Sequence, residues 1–107
     1  MECKIRFVDE KLKQAFEEAE KSDPRLYKEI EKAMTDICNN AFCGRNVKKS
    51  LIPKELAKKY ELKNLWIYNL RVDWRLLYTV GKDEIDILAV VLDWINHKDY
   101  ERLFNFT

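Results

Sequence analysis

Hydrophobic positions recur along this chain with two different periods. Leu12, Ala15, Phe16 and Ala19 fall at helical spacing, and so do Tyr27, Ile30, Met34, Ile37 and Cys38, with charged residues opposite. Asp9 is placed to cap the first helix. Ser22-Asp23-Pro24 separates the two, with Asp23 as a second cap and Pro24 at a first helical position. So short a connection predicts an antiparallel helical hairpin. Ahead of it, Cys3 to Val8 reads as a short strand. From Leu65 the period becomes two: the stretch to Val80 reads as two strands around a tight turn at Asp73. Folding there pairs Arg71 with Arg75, Leu70 with Leu76, Asn69 with Leu77, Tyr68 with Tyr78, Ile67 with Thr79 and Trp66 with Val80. One face then carries Trp66, Tyr68, Leu70, Leu76, Tyr78 and Val80. The other carries Ile67, Asn69, Leu77 and Thr79 and ends in two arginines, which repel unless an anion lies between them.

After a turn at Gly81-Lys82-Asp83-Glu84, Ile85 to Trp94 is apolar on both sides, with Ile85, Ile87, Ala89 and Val91 on one face and Leu88, Val90, Leu92 and Trp94 on the other. Such a strand belongs inside a sheet. Residues 43–64 are the least regular, with a short helix expected from Lys54 to Tyr60, Leu56 and Tyr60 facing inward. Residues 96–104 predict a terminal helix capped by Asn96 and pinned by Tyr100, Leu103 and Phe104. The order predicts an α+β fold: a small, mostly antiparallel β-sheet with an N-terminal α-helical hairpin packed on one face and a short C-terminal helix.

The 107 residues suit one domain, 1–107. No apolar run approaches the roughly 18 residues of a membrane span, and the N-terminus has no apolar signal region. The expectation is a cytoplasmic protein without membrane contact. Cys3, Cys38 and Cys43 follow no metal spacing and read as reduced thiols. Net charge is +1, but unevenly spread: residues 1–40 carry −2, residues 41–82 carry +7 and residues 83–107 carry −4. A basic middle on a near-neutral chain offers one surface to a polyanion.

There is no glycine-rich phosphate loop and no G-x-S-x-G, and His97 is the sole histidine. No metal and no cofactor is therefore expected. Arg71, Arg75, His97, Tyr100 and the lysines together suit a phosphodiester: cations hold phosphate and its developing charge while His or Lys moves protons. An RNA 2′-hydroxyl can attack without a metal. The bland readings are a capping His97, a packing Tyr100, arginines paired with Asp73, Asp93 or Asp99, and solvated lysines.

The run Leu70-Arg71-Val72-Asp73-Trp74-Arg75-Leu76-Leu77-Tyr78 resembles the arginine-bearing hairpin of the RelE/ParE toxin superfamily. The strand Ile87–Val91 followed by His97-Lys98-Asp99-Tyr100 resembles that family's last strand and C-terminal His/Arg and Tyr. The resemblance implies a type II toxin that enters the ribosome, cuts mRNA and is neutralised by a cognate antitoxin. By position it assigns Arg71 and Arg75 to the scissile phosphate, His97 with Lys98 to acid/base work, and Tyr100 to orienting the base or nucleophile. Arg45, Lys48, Lys49, Lys54 and Lys98 become RNA-binding residues. Lys98 stands where many RelE-like members have Arg, which is no equivalent for bidentate phosphate contacts. The alternatives are a ParE-like gyrase inhibitor, an inactive homologue that only binds its antitoxin, and a stand-alone RNA-binding domain with no partner. Oligomeric state is left open.

Overall fold

A computed structural model of the chain describes residues 4–71, 73–83 and 86–104. Its elements are β1 (Ile5–Phe7), α1 (Glu10–Ser22), α2 (Pro24–Asn39), β2 (Arg45–Asn46), a 3₁₀ turn at Lys49–Leu51, α3 (Lys54–Tyr60), β3 (Trp66–Asn69), β4 (Trp74–Asp83), β5 (Asp86–Asn96) and α4 (His97–Phe104). The five strands form one sheet in the order β1-β5-β4-β3-β2, antiparallel except where β1 runs parallel to β5. The expected α+β architecture is thus present, with β2 as an additional edge strand.

The helical hairpin forms where local chemistry dictates. Asp9 Oδ1 accepts from the Leu12 N–H at 2.8 Å, and Asp23 Oδ1 from the Leu26 N–H at 3.3 Å, so each helix starts on a carboxylate cap. The apolar stripe of α2 buries Ile30, Ala33 and Ile37 against Leu70, Leu76, Tyr78, Ala89 and Val91 of the sheet. Phe16 of α1 stacks on Tyr27 of α2 at 4.6 Å and touches Phe7 of β1 at 5.2 Å. The Tyr68 hydroxyl bonds Asp36, fastening β3 to α2.

Both faces of the sheet are buried. Leu65, Ile67, Leu77, Leu92 and Tyr100 form a second core beneath α3 and α4. Ile67 and Leu77, expected beside polar neighbours, are 2% and 1% exposed. Leu56 and Tyr60 of α3 pack against this second core as expected. Asn64 extends β3 with its side chain: its amide gives to the Val80 carbonyl at 2.8 Å and takes from the Val80 N–H at 2.9 Å, as a strand backbone would.

The hairpin register differs from expectation by two residues. Trp66 lies opposite Tyr78, Ile67 opposite Leu77, Tyr68 opposite Leu76 and Asn69 opposite Arg75. Asp73 does not sit at the centre of the turn; it closes the turn in the left-handed conformation, at φ 62°. A three-residue loop ending in such a residue is a standard hairpin closure. A shift of two preserves the alternation, so the expected faces survive while the Arg71–Arg75 pair does not. Val72 lies outside the described residues.

The second hairpin is longer than expected, since Gly81, Lys82 and Asp83 pair with Leu88, Ile87 and Asp86. Cys3, Glu84 and Ile85 lie outside the described residues. A bulge sets Leu77 opposite Asp93 but Tyr78 opposite Val91, inserting Leu92 as an extra residue in β5. Trp94 therefore crosses to the face of Ala89 and Val91, where it meets Phe7 at 6.3 Å, instead of staying with Leu92. Cys38 is disulfide-bonded and Cys43 is a free, exposed thiol, so the expectation of reduced thiols fails at Cys38. The absence of metal spacing does not bear on a bridge, which needs only two sulfurs brought close by the fold. No described helix is long and apolar enough to cross a membrane.

Candidate functional site

Alternation along β4 sends Trp74 toward the helical hairpin and Arg75 to the opposite face. The bulge in β5 fixes the phase in which that strand ends, and α4 begins directly after it. Asn96 caps α4 as expected, its Oδ1 accepting from the Asp99 N–H at 2.8 Å. Because Trp74 pairs with Asn96 and Arg75 with Ile95, the first residue of α4, His97, arrives beside the start of β4.

Arg75 Nη2 lies 3.4 Å from His97 Nδ1, and His97 Nε2 lies 2.5 Å from Glu101 Oε1, one turn further along α4. The Arg75 guanidinium stands 5.4 Å from the centre of the Tyr100 ring, a cation–π placement. Tyr100 is 5% exposed, and its hydroxyl accepts from Arg45 Nη2, which β2 delivers from the sheet edge. Phe104 supports the same ring at 4.8 Å. Arg45, Arg75, His97, Tyr100 and Glu101 therefore form one continuous set on the face covered by α4.

Beside this set opens a cleft of about 270 Å³, bordered by Arg45, Lys48, Leu51, Ile67, Tyr100 and Phe104. Leu51 and Phe104 also border an adjoining opening that Lys54 lines. A cationic rim over apolar walls can receive an anionic group joined to a flat or apolar body.

Arg75, His97 and Tyr100 thus come together as expected, and Arg45 joins them at Tyr100. Lys48 shares the cleft with Arg45, while Lys49, Lys54 and Lys98 are exposed. Arg71 is not opposite Arg75. It lies exposed in the hairpin turn, and its backbone N–H gives to Glu29 Oε2 of α2 at 3.3 Å. Among the described residues Arg75 meets no carboxylate: Asp99 is taken by Arg102, and Asp93 feels Lys59. Burial raises the Asp93 carboxyl above its ordinary value, which its bond from the Trp94 N–H and the charge of Lys59 partly offset. Glu101 was not among the expected residues. Its spacing of four from His97 on a helix is the signal that points to it.

Tyr78 holds the approach to β2 from inside the core. It is 0% exposed, its hydroxyl accepts from the Gly44 N–H at 3.0 Å and donates to the Ala41 carbonyl at 2.8 Å. Burial pushes that hydroxyl up to about 12. Gly44 is required there: a Cβ would lie 2.7 Å from the Tyr78 hydroxyl and 2.8 Å from the Ile67 carbonyl oxygen.

A family model described as the ParE toxin of type II toxin–antitoxin systems, parDE, matches residues 8–92. The matched span takes in Arg45, Arg71 and Arg75 and ends before His97, Tyr100 and Glu101. No curated protein and no solved structure matches the chain.

Proposed function

The chain belongs to the ParE toxin family of type II toxin–antitoxin systems, and from that premise we propose that it acts as a RelE-like endoribonuclease on mRNA at the ribosome. As a type II toxin it has a cognate antitoxin as partner. The observation that carries the finer reading is the placement of the sole histidine. His97 lies between Arg75 and Glu101 and beside Tyr100, whose hydroxyl accepts from Arg45 and which itself borders a cleft with a cationic rim. Arg75 and Arg45 supply positive charge for a scissile phosphate, and His97 supplies an imidazole that can give or take a proton. The nucleophile is the RNA's own 2′-hydroxyl, so the cut requires no activated water. The basic stretch 41–82, with Lys48, Lys49 and Lys54 exposed, supplies the wider polyanion surface.

One observation favours gyrase inhibition as a second reading: the family model that matches is ParE, and its span stops short of α4. Expression of the chain without antitoxin separates the two. Growth arrest with loss of full-length mRNA and unchanged plasmid supercoiling supports the ribonuclease. Arrest with intact mRNA and altered supercoiling assigns the chain to gyrase, and unimpaired growth with antitoxin binding retained marks an inactive homologue.

A further inference from the structure

We propose that Glu101 is a positioning residue that holds His97 in its Nε2–H tautomer, so that Nδ1 is the atom that takes the 2′-hydroxyl proton. The inference rests on the ribonuclease reading and adds the identity of the reacting nitrogen and what fixes it. A guanidinium can only donate hydrogen bonds, so the His97 nitrogen facing Arg75 at 3.4 Å presents a lone pair. A carboxylate can only accept, so the nitrogen 2.5 Å from Glu101 carries the hydrogen. Two partners at opposite ends of the ring select the same tautomer. Both Glu101 and His97 lie on α4 at positions i and i+4, so the helix itself sets their separation.

The arrangement also accounts for how Nδ1 becomes available. In the free protein Arg75 covers it. A phosphate oxygen is a stronger acceptor for a guanidinium than a neutral imidazole nitrogen is. RNA binding thus turns Arg75 to the phosphate and uncovers Nδ1 next to the bound nucleotide. The 2′-hydroxyl then gives its proton to Nδ1 as the O2′–P bond forms. The P–O5′ bond breaks, the leaving oxygen takes a proton from water, and the hydroxide so formed is neutralised when the His97 imidazolium returns its proton to solvent. The products are a 2′,3′-cyclic phosphate and a 5′-hydroxyl, with no change of oxidation state. The imidazolium that forms is already paired with the Glu101 carboxylate. The Tyr100 ring lies alongside the imidazole, with centroids 6.3 Å apart.

His97 is the only histidine, so the ring nitrogens of a ¹⁵N-labelled intact chain report on it without assignment. The probe is a single-stranded RNA bearing a 2′-deoxy nucleotide at the cut site. The wild-type chain is expected to show a protonated Nε2 and an unprotonated Nδ1. Glu101→Ala should give a tautomer mixture. Glu101→Gln retains an acceptor oxygen and should keep the tautomer while losing the negative charge. Glu101 is about half exposed, so both variants should fold.

With cleavable mRNA on programmed ribosomes, Glu101→Ala should lower kcat by on the order of tenfold or more, short of the roughly 10²–10⁴ for losing the proton-transfer group itself. KM should stay within about twofold, because Glu101 does not touch the phosphate. Glu101→Gln should recover part of that loss. An unaltered tautomer in Glu101→Ala, or an unaltered kcat, overturns the proposal. A tautomer held by Glu101 in a wild-type chain that cuts no mRNA on programmed ribosomes overturns the ribonuclease reading, and with it the assignment of Nδ1 as base.

Discussion

Replacing Tyr78 by phenylalanine removes one oxygen atom from the interior and tests how the fold holds Arg45 in place. That oxygen joins two backbone groups, the Gly44 N–H at 3.0 Å and the Ala41 carbonyl at 2.8 Å, in a side chain that is 0% exposed. Each such bond contributes about 0.5–1.5 kcal/mol net, so losing both should cost roughly 1–3 kcal/mol. For a chain of this size that lowers Tm by on the order of 10 °C. The hydroxyl, raised from 10.0 to about 12 by burial, adds a pH signature. A group whose folded value is raised contributes stability that is fully present below its unfolded value and lost as pH rises through the folded one. The window is therefore pH 10 to about 12, and the loss across it corresponds to roughly 2–3 kcal/mol. Tyr68 is raised as well, by burial and by Asp36, so some alkaline dependence persists in the variant. Urea denaturation of both proteins at pH 7 and at steps up to pH 12 gives the comparison. A Tyr78→Phe protein within about 0.5 kcal/mol of wild type at pH 7, with the same alkaline decline, would refute the reasoning. Loosening residues 41–44 should also free Arg45 from Tyr100 and weaken RNA cleavage, though less than Arg45→Ala does.

Gly44→Ala should destabilise by about 1–3 kcal/mol, because its Cβ would meet the Tyr78 hydroxyl at 2.7 Å and the Ile67 carbonyl at 2.8 Å, and thermal unfolding measures this. His97→Gln and Arg75→Ala should each abolish growth arrest while circular dichroism and antitoxin binding stay unchanged. Groups serving one transition state are not additive, so in single-turnover RNA cleavage their double variant should be little worse than either alone. Replacing Lys48, Lys49 and Lys54 together by glutamine should reduce the dependence of log K for RNA on log salt by roughly 2, and an unchanged slope would move the polyanion surface elsewhere.

Local chemistry wrote much of this fold into the chain. The carboxylate caps at Asp9 and Asp23, Pro24 at the head of α2, the Asn96 cap and the helix at Lys54–Tyr60 depend on neighbours within four residues. The alternating faces of β3 and β4 and the interior position of β5 follow from side-chain period and hydrophobicity. These features survive whatever the strands pair with. Composition likewise marked His97 as a candidate for moving protons, because it is the sole histidine in the chain.

Register and the second layer were decided elsewhere. A turn centred one residue earlier leaves the face assignment intact but moves each partner by two, and only the left-handed Asp73 closing the loop selects between the two pairings. The bulge at Leu92 depends on how β5 satisfies β1 and β4 together, and it decides which side Trp94 joins and where α4 begins. The contact of Arg45 with Tyr100 spans 55 residues, so no local pattern encodes it. Periodicity specifies which side of an element is apolar. What that side meets, and therefore which charged groups converge on one cleft, is settled only when the layers close around a shared interior.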